Sequence, residues 1–256
     1  MAFTLGPAEH KTLCEVVVQT LQDAILDGHL PPGTRLIEAE IARQLSVSKA
    51  TVREALMSLE RLGLASSQPR RGTFITRLSP RHVSEVFSLR ALLEGYAARL
   101  AARLATESDF TRMESQVELI VSSVAPNSRA YVEYDVRFHD LVFELCGHSL
   151  LQEAWKPLRA QVQMVLSLDV ILSPTKPLWE PVEARDVHCK VIDALRSRDP
   201  DRAQRAVAEH MAQGERRLLY RLAGESASPR AVRVEDFPSL RGTIWETPTI
   251  PWEAPL

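Results

Sequence analysis

Residues 46–64 read Ser46-Val47-Ser48-Lys49-Ala50-Thr51-Val52-Arg53-Glu54-Ala55-Leu56-Met57-Ser58-Leu59-Glu60-Arg61-Leu62-Gly63-Leu64. The stretch carries both ends of a helix. Ser48 is a good N-cap, and Val47 before it can staple onto Val52 at the fourth helical position. Gly63 ends the helix as a C-cap. Val52, Ala55, Leu56, Leu59 and Leu62 recur at three- and four-residue intervals, so one stripe faces a core while Lys49, Arg53 and Met57 face away. The first turn offers short and basic side chains. Ala50 and Thr51 permit close approach, Arg53 can fork onto a guanine edge or a phosphate, and Lys49 with the hydroxyls of Ser46, Ser48 and Thr51 suits phosphate oxygens. The same pattern also fits an ordinary amphipathic helix with a solvated basic face, so the flanks have to decide.

On the N-terminal side, residues 10–29 read as a helix with Leu13, Val16, Val17, Leu21, Ala24 and Ile25 as its apolar stripe and Gly28 near its end. Leu30-Pro31-Pro32-Gly33 is a turn, Thr34 to Ile37 a short extended piece, and Glu38 to Leu45 a second helix. Helix 46–64 follows after a three-residue turn, which is the helix-turn-helix arrangement whose second helix reads the major groove. Beyond it, Ala65 to Gln68 and Thr73 to Arg77 flank Pro69-Arg70-Arg71-Gly72, a tight turn with two arginines at its tip. A β-hairpin wing is expected there.

The charge distribution agrees. The 256 residues are 45% hydrophobic and 25% charged, ordinary for globular protein, with a net charge of −2 that by itself argues for no nucleic-acid partner. Divided along the chain, residues 43–77 hold seven basic side chains against two acidic ones, whereas residues 81–256 carry 22 basic and 25 acidic. A local positive patch beside a neutral body is what a phosphate-neutralising domain next to a second domain produces. No 18-residue apolar run and no basic-then-apolar N-terminus is present, so neither a membrane span nor a signal peptide is expected and a cytoplasmic location is. Cys14, Cys146 and Cys189 are too few and too far apart for a disulfide framework.

From Ser79-Pro80 to Gly224 the periodicity is helical throughout, in segments near 80–104, 107–124, 129–146, 150–172, 182–197 and 200–222, with Pro157 expected to kink the fourth or split off its first turns. An antiparallel helical bundle is the natural outcome. Residues 225–256 hold five prolines, Trp245 and Trp252 and no periodicity, and read as a Pro-rich tail. Within the bundle, Asp135 and His139 stand at i and i+4 and so share one helix face. With His188 and His210 from two later helices they make a carboxylate and three imidazoles, a donor set that suits Zn²⁺, Ni²⁺ or Mn²⁺. Ordinary polar helix surfaces would explain the same spacing. His10, His29, His82 and His148 have no such company.

Leu30-Pro-Pro-Gly-Thr-Arg35-Leu, Val47-Ser48-Lys49-Ala50-Thr51-Val52-Arg53-Glu54-Ala55-Leu56 and Arg71-Gly72-Thr73-Phe74 together resemble the winged helix-turn-helix of GntR-family bacterial transcription regulators. The family pattern usually has Arg-Thr-Pro where this chain has Lys49-Ala50-Thr51, which bears on which operator bases are read rather than on DNA binding itself. The resemblance implies DNA contacts at Arg35, Lys49, Thr51, Arg53 and Gly72, to which the residue reading adds Ser48, Arg70 and Arg71. Arg90-Ala-Leu-Leu-Glu94, Asp135-x-x-Phe138-His139, His188-x-x-x-Ile192-x-Ala194-Leu195 and His210-Met211 resemble the FCD effector domain of the FadR branch of that family. That resemblance implies a divalent metal held by Asp135, His139, His188 and His210, and an organic-acid effector met by Arg90. Arg90 could instead simply pair with Glu94 four residues on.

The expected organisation is therefore mainly α: a winged helix-turn-helix over 10–78, a helical effector, metal-binding and dimerisation domain over 79–224, and the tail over 225–256. The expected protein is a homodimeric repressor on a two-fold double-stranded operator, controlled by a small carboxylate. Two other readings are open at this point: a helical metalloenzyme built on the same four residues, and a regulator for which the metal itself is the signal.

Overall fold

A computed structural model describes residues 11–124, 128–172 and 179–223; the tail over 225–256 lies outside the described residues. The chain divides into two compact units, Met1–Arg77 and Leu78–Leu256.

The first unit begins with α1 (Leu13–Leu26), set by a capping box in which Glu15 N–H donates to Thr12 Oγ1 and Thr12 N–H to Glu15 Oε2. Val17, Leu21 and Ile25 face inward, whereas Leu13 and Val16, expected in the same stripe, are exposed. After β1 (Arg35–Leu36) comes α2 (Glu38–Leu45), which Ser46 stops by taking the left-handed conformation at φ 55°. The next helix, α3 (Lys49–Arg61), starts where Ser48 Oγ accepts from Thr51 N–H at 3.1 Å. It stops at Gly63, φ 71°, where Gly63 N–H reaches Glu60 O and Leu64 N–H reaches Leu59 O, both at 2.9 Å. Those two bonds are the Schellman closure, and the positive φ is why a glycine stands there. Val52, Ala55, Leu56 and Leu59 are buried, and α3 packs on α1 and α2. Burying Val52, Leu56 and Leu59 contributes about 1.5–3 kcal/mol each, enough to set which face of α3 stays outside. Strands β2 (Ala65–Gln68) and β3 (Gly72–Ile75) form the expected wing, and β1 adds to it in the order β1-β3-β2, all antiparallel, with Arg35 opposite Phe74 and Gln68 opposite Gly72.

The second unit is a bundle of α4 (Pro80–Leu104), α5 (Glu107–Ser123), α6 (Arg129–Leu145), α7 (Ser149–Leu172), α8 (Pro181–Arg196) and α9 (Pro200–Leu222). The starts are written in side chains: Ser79 caps α4 with Pro80 at its first position, Thr106 and Asp109 form a capping box on α5, Ser128 caps α6, and Asp199 caps α9 ahead of Pro200. Pro157 lies inside α7, which runs unbroken through it, so its first turns are not a separate piece. Buried walls on both sides of α7, including Leu151, Trp155, Leu158 and Val162, hold the helix through the missing hydrogen bond.

α4 is the spine. It packs along α9 and also meets α6, α7 and α8, while α5 lies against α6 and α8. Small residues allow the α4–α9 approach: Ala97, Ala98, Ala101 and Ala102 are fully buried, a Cβ on Gly95 would stand 3.3 Å from Gln204 Cγ, and one on Gly214 would stand 3.1 Å from the Phe87 ring. The close packing brings polar groups of α4, α6, α8 and α9 into one desolvated centre.

Candidate nucleic-acid face and candidate metal centre

In the first unit the sequence-predicted basic residues lie at the surface. Arg35, Ser48, Lys49, Arg53, Arg70, Arg71 and Gly72 are exposed and Thr51 is half-buried. Two of them are brought together directly. Gly72, φ 101°, has no side chain where the Arg35 guanidinium crosses β3, and a Cβ there would lie 3.4 Å from Arg35 Nε. At the wing tip Arg71 N–H bonds Gln68 O at 3.0 Å, closing a turn with Pro69 second and Arg70 third at φ 62°. That third position of a type II turn normally takes glycine. Ser48 and Thr51 share a hydroxyl contact at 2.9 Å in addition to the cap.

Arg53 does not stand alone. Its Nε and Nη2 donate to Glu38 Oε1 and Oε2 at 3.1 and 2.8 Å, a two-point fork from α3 to the first residue of α2. The Arg53 hydrogen bond, with the charges of Arg53 and Lys49, holds the Glu38 carboxyl below its usual range. Sequence reasoning missed this pair because the partners are 15 residues apart on different helices, and only same-helix spacings are visible in a sequence.

In the second unit Asp135 and His139 of α6, His188 of α8 and His210 of α9 converge, all buried, with one donor atom of each within 4.8 Å of the others. His188 Nε2 lies 3.2 Å and His139 Nε2 3.9 Å from Asp135 oxygens, and His210 Nε2 lies 3.3 Å from His139 Nε2. The 3.2 Å approach lacks hydrogen-bond alignment, leaving His188 Nε2 without a partner among the described residues. Donors that sit at about 2.0–2.2 Å from one ion are spaced roughly 3–4 Å apart, so the cluster fits a divalent cation. Phe138 packs edge-on beneath His139 and His188.

The electrostatics favour the same species. Burial pushes the Asp135 carboxyl up, but His188, His139 and the Arg90 guanidinium more than offset it and hold it well below the carboxylate range. Burial lowers His210 far below its ordinary value, with the neighbouring His188 and His139 adding to the effect, and burial and Arg90 lower His139. Near neutral pH the centre therefore holds the Asp135 carboxylate beside neutral His139 and His210 imidazoles, the forms that ligate a cation.

Two α4 residues complete the centre. Arg90 is 2% exposed and its Nε donates to Glu94 Oε2 at 3.1 Å, so the pairing with Glu94 is real but lies in the core rather than on a surface. Arg90 Nη2, 3.9 Å from Asp135 Oδ2, has no hydrogen-bond partner among the described residues. Glu94, fully buried, turns its other oxygen, Oε1, onto His139 Nδ1. The role of Glu94 was missed from sequence, although a signal existed: both charges continue the apolar period Val83, Phe87, Ala91, Ala98 of α4. Tyr131, whose hydroxyl burial and Asp135 push up, and Trp179, stacked near His210 with the Arg217 guanidinium 4.0 Å above its ring, were also not singled out.

The sequence profile of the FCD domain matches residues 85–213, and that described as bacterial regulatory proteins, gntR family, matches residues 13–75. A protein of Paenarthrobacter nicotinovorans described as the probable D-xylose utilization operon transcriptional repressor is 32% identical over 73% of this chain and 80% of its own length. The HTH-type transcriptional repressor RspR of Escherichia coli is 28% identical over 76% of this chain and 84% of its own. The Glc operon transcriptional activator of the same species is 26% identical over 79% and 87%. Among solved structures, E. coli McbR/YncC superposes with a TM-score of 0.67 at 23% identity, covering 84% of this chain and all of that one, a likeness of fold.

Proposed function

Since the chain belongs to the gntR family of bacterial regulatory proteins, carries an FCD domain and so is a DNA-binding transcription regulator, we propose that a small carboxylate effector sets its operator affinity from the α4–α6–α8–α9 centre. In this reading the protein is a homodimeric repressor on a two-fold operator, touching DNA through Arg35, Ser48, Lys49, Thr51, Arg53, Arg70, Arg71 and Gly72. Two half-sites double the few base contacts that one winged unit offers. The family and its relatives are regulators of transcription, so the metalloenzyme alternative falls away. The relatives include repressors and an activator; repression relieved by effector is the sign proposed here.

The observation that carries the proposal is the buried Arg90 Nη2 without a hydrogen-bond partner among the described residues, beside four converging donors. A desolvated guanidinium nitrogen left unpaired costs about 1–3 kcal/mol or more, and a carboxylate pairs with it in a charge-assisted bond. Asp135, His139, His188 and His210 would hold Zn²⁺, Ni²⁺ or Mn²⁺, which would supply positive charge for an anionic ligand. Arg90 orients the acid, and Phe138 and Trp179 wall the centre from water.

The test is a titration of operator binding with candidate organic acids in wild type and in Arg90→Ala, with metal content measured in both and in the His188→Ala, His210→Ala double variant. We expect stoichiometric metal in wild type, none in the double variant, and an effector-induced change of roughly 5- to 150-fold in operator affinity that Arg90→Ala removes. Full metal in the double variant would refute the metal assignment. An acid that binds the bundle and leaves operator affinity unchanged would refute the regulatory one.

A further inference from the structure

The three imidazoles of the centre are not held alike. Each turns Nε2 inward, so the support of each ring rests on Nδ1. His188 Nδ1 lies 2.7 Å from Ala184 O one turn back on α8, which makes it the donor and leaves the Nε2 lone pair facing the centre. His139 Nδ1 meets Glu94 Oε1. His210 Nδ1 is buried with no partner among the described residues. Glu94 is 0% exposed, and its two oxygens are divided between Arg90 Nε on its own helix and His139 on α6.

A buried carboxylate against Nδ1 fixes the tautomer and the ring plane of a histidine and makes its other nitrogen a better donor. We propose that Glu94 is the positioning residue of the centre: one carboxylate both orients His139 as a ligand and ties that ligand to the effector arginine. The inference rests on the reading that Asp135 and the three histidines hold a divalent ion. It goes beyond that reading in two ways. His139 and His188 are the fixed ligands while His210 is the yielding one, and a change at Arg90 reaches His139 through a single shared side chain. The bland alternative is that Glu94 serves only as the buried counter-ion of Arg90.

Zn²⁺ affinity of the full chain, measured by competition with a chromophoric chelator, separates the two. Glu94→Gln keeps the shape and loses the charge. We expect it to weaken Zn²⁺ binding about 10- to 100-fold, and to do so in the Arg90→Ala background as well, because His139 loses its support whether or not the guanidinium is present. Equal affinity with and without Glu94→Gln in that background overturns the inference and leaves Glu94 as a counter-ion. A wild-type chain that takes up no Zn²⁺, Ni²⁺ or Mn²⁺ overturns the metal reading and this inference together. Should Glu94→Gln fail to fold by circular dichroism, the wild type still decides. Proton NMR of the Zn²⁺-loaded chain is expected to show two slowly exchanging, downfield imidazole N–H resonances, from His139 and His188, and none from His210. A single protected resonance from His188 would refute the role of Glu94.

Discussion

Arg70 occupies a backbone position that most side chains avoid. At φ 62° in the third place of the wing turn it costs on the order of 1–2 kcal/mol relative to a relaxed conformation, and glycine would sit there without strain. In the proposed reading the Arg70 guanidinium, at an exposed tip beside Arg71, meets DNA. Arg70→Gly is therefore expected to raise stability by about 1 kcal/mol in chemical denaturation while weakening duplex DNA binding; unchanged DNA binding would remove Arg70 from the interface. A second residue stores cost of another kind. Glu215 on α9 is 5% exposed, and burial pushes its carboxyl up from 4.5 against smaller pulls from Ser84 and Arg216. A raised folded-state value means the folded chain holds the proton more tightly than the unfolded one. The stability this gives is complete below about pH 4.5 and is lost as pH rises through the raised value. Glu215→Gln should thus be more stable than wild type at neutral pH, with the difference vanishing in acid. A variant less stable than wild type across the whole range would show that the carboxylate is better seated than its burial implies.

The elements were largely legible because their ends are written in local chemistry. Ser48, Gly63, Ser79-Pro80, Thr106 and Asp199-Pro200 each mark a boundary through one or two hydrogen bonds that the neighbouring residues complete. Ser48 gives the element-scale prediction: Ser48→Ala removes the acceptor for Thr51 N–H and should cost about 1 kcal/mol in denaturant unfolding. A loss confined to DNA affinity would show instead that the hydroxyl serves the nucleic acid and not the helix. The four converging donors were also foreseeable in part, since Asp135 and His139 share a face one turn apart, and the resemblance supplied His188 and His210. What links different elements was not legible. The Arg53–Glu38 fork, the Glu94–His139 bond and the Trp179–His210 stack join residues whose separation in sequence has no periodic relation, so only packing can reveal them. At Pro157 only the separation of the first turns is overruled, because α7 runs unbroken through it with buried residues on both sides.

For the molecule as a whole, the uneven charge of the sequence gives residues 43–77 of the first unit an excess of basic side chains and leaves residues 81–256 slightly acidic. Among the described residues no helix is long and apolar enough to cross a membrane. The pairing of Arg53 with Glu38 alters how much of that basic surface counts in salt. Duplex DNA carries condensed cations that are set free in proportion to the phosphates a protein neutralises, and each one contributes about −0.9 to the slope of log affinity against log salt. An arginine already paired within its own unit would meet a phosphate without liberating a cation of its own, so in the proposed complex Arg53 would add geometry and little ionic-strength dependence. Glu38→Gln should then steepen the slope by about 0.9 per protomer, because the freed guanidinium would displace one condensed cation. An unchanged slope for Glu38→Gln would mean that the Arg53 guanidinium meets no phosphate. If Arg53 meets DNA as proposed, the protein would carry its own counterion into the groove, and tolerance of the complex to changing salt would follow from one carboxylate at the start of α2.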